Sequence, residues 1–132
     1  MPPIDKLALL QVQDNRLLMV RSHGKALFYL PGGKREAGES DSQALCREIS
    51  EELAVTLDPA SLQHQITLSA QAHGKPAGTL VRLTCYTGHY AGTPQPAAEI
   101  AELAWLGQTD RDRCSAAALQ VLDWLAQQGL LR

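Results

Sequence analysis

Residues 33–55 read Gly33-Lys34-Arg35-Glu36-Ala37-Gly38-Glu39-Ser40-Asp41-Ser42-Gln43-Ala44-Leu45-Cys46-Arg47-Glu48-Ile49-Ser50-Glu51-Glu52-Leu53-Ala54-Val55. Ser40 followed three residues later by Gln43 has the form of a capping box. Leu45, Ile49 and Leu53 then recur at four-residue spacing, so the stretch predicts an amphipathic helix from about Asp41 to Leu53. Glu48, Glu51 and Glu52 are related by i, i+3 and i+4, which puts three carboxylates on one helix face. Each like-charge pair costs a few tenths of a kcal/mol, and only Arg47 offers local compensation. A hard cation such as Mg²⁺, bound by carboxylates, retained waters and phosphate oxygens, would relieve the repulsion. A solvated acidic surface is the ordinary reading of a Glu-Glu pair alone, so the weight falls on what surrounds it.

Working outward, Lys6–Gln13 and Arg16–Arg21 are apolar runs about the turn Asp14-Asn15 and predict a β-hairpin. A short strand, Leu27–Leu30, is expected to stop at Pro31-Gly32-Gly33. Downstream, Gln63–His73 and Thr79–Tyr90 flank the turn-forming residues 74–78 as a longer hairpin. A Pro- and Ala-rich loop leads to a short strand around Leu103–Leu106, and Ser115–Gln128 has the apolar content of a closing helix. Strands, helix, strands, helix predict an α+β fold, a mixed β-sheet with helices packed on it.

A chain of 132 residues is expected to form one domain over residues 1–132. Its hydrophobic fraction of 45% and charged fraction of 20% are those of a globular protein. Net charge is −2, so no global field draws it to nucleic acid or to an anionic membrane. No segment has the length of a membrane span or the form of a leader, and the expected location is the cytoplasm. Cys46, Cys85 and Cys114 form no C-x-x-C pair and read as reduced thiols. Lys34 is not followed by Ser or Thr, which excludes a P-loop, and no EF-hand loop is present.

The full spacing carries more information than any part of it. Gly33, five residues, Glu39, seven residues, Arg47-Glu48, an aliphatic residue, any residue, Glu51-Glu52 and an aliphatic Val55 together resemble the signature box of the Nudix hydrolase family. Six polar or glycine positions agree, a coincidence of roughly one in a million at ordinary residue usage. Ala54 stands where the family usually has Gly, a position suited to a left-handed residue past a helix end.

The resemblance implies an α/β/α sandwich and an enzyme that cleaves a diphosphate linkage with water. It implies metal contacts from Glu48, Glu51 and Glu52 and from the Gly33 carbonyl, with Mg²⁺ as the ion and Mn²⁺ as a substitute. Arg47 would orient the glutamates, Glu39 would orient water or metal, and Glu48 or Glu51 could serve in catalysis. A further carboxylate from a later loop is expected as ligand or general base; Glu99 is favoured over Glu102, which period-two alternation assigns to the polar face of its strand. Arg21 and Lys34 are expected on phosphate, and Phe28, with Tyr29 or Trp105, either stacks on a base or fills the core. The expected substrate is a small-molecule nucleotide, most simply a nucleoside triphosphate, oxidised ones included, giving monophosphate and pyrophosphate. ADP-sugar or dinucleotide cleavage and non-catalytic nucleotide binding are the alternatives. No nucleic-acid or membrane partner is expected, and the oligomeric state is left between monomer and homodimer.

Overall fold

The computed structural model describes residues 2–72 and 74–132. Along the chain run β1 (Ile4–Leu9), β2 (Val12–Gln13), β3 (Arg16–Ser22), β4 (Gly32–Lys34), α1 (Asp41–Leu53), β5 (Thr56–Leu57), β6 (Gln63–Gln71), β7 (Leu80–Thr87), β8 (Tyr90–Ala91), β9 (Ile100–Leu106) and α2 (Ala116–Gln127). One sheet has the order β4-β1-β7-β6, and a second the order β2-β3-β9. β1 and β7 are parallel while β1–β4 and β6–β7 are antiparallel, which makes the larger sheet mixed.

Strand alternation distributes the core between two layers. Leu7 and Leu9 of β1 and Leu18 and Val20 of β3 pack with Ala44, Leu45, Ile49 and Leu53 of α1. Ala8 and Leu10, with Leu17 and Met19, pack instead with Ala118, Val121, Leu122 and Leu125 of α2. Neighbouring residues on a strand point to opposite faces, so each helix collects every second side chain. The result is the expected α/β/α sandwich. α1 begins and ends as its sequence predicts: the Ser40 side chain accepts from the Gln43 amide and the Gln43 side chain from the Ser40 amide. Ala54 ends the helix in the left-handed region at φ 57 and ψ 34.

Three strand expectations need correction. The run Lys6–Gln13 is not one strand: it breaks after Leu9, and β1 and β2 belong to different sheets. Only the β2–β3 half forms the expected hairpin, over Asp14 and Asn15, both at positive φ. Leu27–Leu30 is not a strand either. Phe28 and Tyr29 make isolated bridges to Cys114 and Val20, and the strand proper is Gly32–Lys34, paired with β1. Gly32 adopts φ +143, and a Cβ there would lie 2.9 Å from the Ala8 Cα, so close backbone approach explains the glycine. The β6–β7 hairpin forms, but its second arm ends at Thr87, and Tyr90, its expected last residue, pairs in β8 with β5; His73, the last residue of the expected first arm, lies outside the described residues.

Candidate active site

The site is assembled around Arg47. Its Nε and Nη2 donate to the two oxygens of Glu39, both at 2.8 Å, in a bidentate pair. Nη1 donates to Glu48 Oε1 at 2.7 Å, and Nη2 reaches the Lys34 carbonyl at 3.1 Å. Glu51 stands 3.6 Å from Nη1, one turn further along the helix. One guanidinium thus joins the loop before α1, the strand β4 and two turns of the helix, which a planar fork with five donors can do. The Arg47 hydrogen bonds and the Glu36 amide hold the Glu39 carboxyl down to about 2. Glu48 moves the other way, pushed up by burial against the pull of Arg47.

Beneath this cluster lies Glu52, only 2% exposed. Its Oε1 accepts from the Gly32 amide at 2.9 Å. Burial raises its carboxyl to about 8 despite that bond, and the nearby charges of Glu48 and Glu99 add to the rise. The three helix carboxylates are therefore not equivalent: Glu52 borders the apolar face of α1, Glu48 is mostly covered, and Glu51 remains half-exposed. A Cβ on Gly33 would come within 2.5 Å of the Glu48 Cδ, so the missing side chain is what lets that carboxylate close on the turn.

Among the described residues no three Asp, Glu, His or Cys side chains are gathered closely enough to grip an ion as they stand. Arg47 draws Glu48, the Gly32 amide engages Glu52, and Glu51 turns outward. The donor set nevertheless fits a hard divalent cation. Carboxylates approach the Gly33 turn from one side, and among the described residues no cation pairs with the buried Glu52, whose charged form requires one. Glu48, Glu52 and Glu51, with the Gly33 carbonyl, are the residues that would hold it.

The remaining expected residues divide. Arg21 on β3 donates through Nε and Nη2 to Glu102 Oε1 of β9, each at 3.3 Å, and through Nη1 to the Lys25 carbonyl. The β3–β9 register sets these two residues opposite each other, so Glu102 is occupied by Arg21. Glu99 precedes β9 at the end of the Pro- and Ala-rich loop, and its charge is felt by Glu48 and Glu52. That loop is tied to the end of α1: the Gln95 and Ala97 amides donate to the Leu53 and Glu52 carbonyls at 2.9 and 3.0 Å. Ala98 takes a left-handed φ of 52 before Glu99. Phe28 needs correction as a base-stacking candidate. It is 3% exposed, in the core with α2, and Arg113 lies over its ring at 5.0 Å. Its neighbour Tyr29 is half-buried, bonds Ser22 and feels Glu52, Glu99 and Glu48. Lys34 is exposed at the end of β4. Sequence reading passed over Lys6, which the β1–β4 register places opposite Lys34. Its only signal was a cation in an otherwise apolar run.

Two helices on opposite sides of a layer of strands, with a Glu-Arg-Glu cluster on a glycine turn, define a protein class. The NUDIX domain profile matches residues 2–125, and the chain belongs to the Nudix family. It is an enzyme of the Nudix pyrophosphohydrolase type. Solved structures share the fold. A MutT Nudix hydrolase from Burkholderia pseudomallei is 24% identical, with a TM-score of 0.74 over 93% of this chain and 98% of that one. A Nudix hydrolase from Nitrosomonas europaea gives 20% identity and a TM-score of 0.75 over 96% of this chain and 90% of that one. A bifunctional NMN adenylyltransferase/ADP-ribose pyrophosphatase from Francisella tularensis, solved with AMP and a manganese ion, is 21% identical with a TM-score of 0.69. The match covers 96% of this chain and 42% of that one. A search of curated proteins finds no match.

Proposed function

We propose that this enzyme hydrolyses a nucleoside triphosphate, oxidised forms included, to the monophosphate and pyrophosphate, with Mg²⁺ as its ion and Mn²⁺ as a substitute. The observation that carries the reading is the buried Glu52 beneath the Arg47-centred cluster, beside a turn where the Glu48 carboxylate fills the place of a Gly33 side chain. A bound divalent ion supplies charge compensation for the phosphate oxygens and lowers the pKa of water. The protein supplies the rest. Arg47 fixes Glu39 and Glu48 at defined positions through charge-assisted bonds. Glu99, on a loop pinned to the end of α1, is assigned as the base that takes the proton from attacking water, and Glu102, held by Arg21, as a support for that arginine. Arg21 and Lys34 bind phosphate oxygens. The substrate is a free small molecule in the cytoplasm.

Formation of nucleoside monophosphate from a nucleotide panel, with and without Mg²⁺ and with pyrophosphate as the second product from triphosphates, tests the reading on the parent and on Glu52→Gln, Glu99→Gln and Glu102→Gln. The panel includes ADP-ribose and a UDP-sugar, because structural neighbours are titled ADP-ribose pyrophosphatase and UDP-X diphosphatase. Glu52→Gln keeps the acceptor for the Gly32 amide and should lose activity at all Mg²⁺ concentrations tested. Glu99→Gln should lower kcat by roughly 10²-fold at saturating Mg²⁺. A larger loss at Glu102, or parent-level turnover in Glu52→Gln, would overturn the assignments.

A further inference from the structure

β4 is a three-residue edge strand, and its two faces carry opposite charges. Gly33 faces α1, where the Glu48 carboxylate fills the space of a Cβ. Lys34, one residue on, faces the other way. It pairs directly with Lys6 of β1, and paired residues in an antiparallel ladder project to the same face. On that face Lys6 has Leu83 of β7 at its other side and Ile4 and Ala8 along its own strand.

Like charges set directly opposite each other destabilise a sheet. Among the described residues no carboxylate lies within ion-pair distance of either lysine. Lys34 is exposed and can be solvated, but Lys6 is half-buried on a strand flanked by two others, where an apolar residue would pack without penalty. Burial and the charge of Lys34 push the Lys6 ammonium below its ordinary pKa, while Glu52 and Glu48 pull it back. The ammonium therefore stands within the field of the glutamate cluster without being neutralised by it.

We propose that Lys6 is a specificity-determining residue which, together with Lys34, holds a phosphate of the substrate that is not attacked, on the face of β4 opposite the glutamates. The substrate would straddle the edge strand, its scissile linkage at the Gly33 turn and its further phosphate on the lysines. A molecule with a phosphate beyond the cleaved linkage, such as a triphosphate, is favoured over one that is neutral there. The inference rests on the proposed hydrolysis for its substrate, but the anion site can be tested apart from turnover.

Lys6→Met keeps length and suits the neighbouring Ile4, Ala8 and Leu83, and Lys6→Arg keeps the charge. Two quantities are measured on each full-length variant: steady-state kinetics with a nucleoside triphosphate, and the rise in Tm caused by inorganic pyrophosphate in metal-free buffer. Lys6→Met should raise KM about tenfold with kcat within about twofold, as expected for one lost charge-assisted bond. It should also lose most of the pyrophosphate response, and Lys6→Arg should restore both. Parent-like KM and pyrophosphate response in Lys6→Met would overturn the proposal. A parent that turns over no nucleotide, yet whose pyrophosphate response still depends on Lys6, would defeat the hydrolase reading and leave the anion site standing.

Discussion

Gly33 shows how a single hydrogen atom in place of a side chain controls the site. Adding one methyl group would displace the Glu48 carboxylate, which is the mobile end of a flexible chain and can move at little cost to the fold. Gly33→Ala should therefore leave the Tm within a few degrees of the parent and lower kcat/KM by at least about tenfold. Tm unchanged together with parent kinetics would show that the position of Glu48 is immaterial. Gly32 is different, since a Cβ there meets the Leu7 and Ala8 backbone, which cannot yield. The box pattern is legible residue by residue, but the roles within it are graded by burial. No spacing rule announces that Glu52 is 2% exposed while Glu51 lies in solvent. Phe28 was ambiguous for the same reason, because an aromatic beside a glycine turn can face either core or cleft.

At the scale of elements, α1 is the segment that local chemistry specifies most completely. Its cap and its apolar stripe are written in residues 40–53. Its weak point is Ala54, which holds a left-handed conformation that costs an L-residue roughly 1–2 kcal/mol. Ala54→Gly should relieve that strain while adding freedom to the unfolded chain worth about 0.4–1 kcal/mol. The net expectation is a gain of about 0.5–1 kcal/mol, read as a Tm higher by a few degrees with unchanged kinetics. A Tm at or below the parent's would show that the exit is not strained. β4 shows the opposite limit. Gly-Gly-Lys has little strand propensity, and it is a strand because β1 offers it a ladder.

Across the whole molecule, a polar chain ties the start of α1 to the larger sheet. Asp41 accepts from Tyr86 of β7 and from Arg35, and Arg35 and Arg82 both reach Asp5 of β1 at 3.4 and 3.7 Å. Tyr86 and then Arg35 hold the Asp41 carboxyl below its ordinary 3.8, and Asp41 in turn raises the Tyr86 hydroxyl to about 12. A depressed acid contributes stability that is present above its unfolded pKa and is lost as pH falls through the folded one. The raised phenol contributes below its unfolded value near 10 and loses that contribution as pH rises toward 12. Tyr86→Phe should thus cost about 1 kcal/mol at pH 7, after allowance for partial exposure. The difference from the parent should shrink below pH 3.8, and thermal melts between pH 2.5 and 8 would show it. A difference independent of pH would mean that the hydroxyl matters only for packing. By itself, the sequence determined the helix, its cap, the box of acids, the long hairpin and the layered class, because these depend on periodicities and turn chemistry within a few residues. Tertiary structure decided that β1 and β2 part into two sheets, that Gly32–Lys34 is a strand, that Arg21 answers Glu102, and that Lys6 faces Lys34. Each of these depends on register between segments remote in the chain, and register is set by which faces the two helices bury.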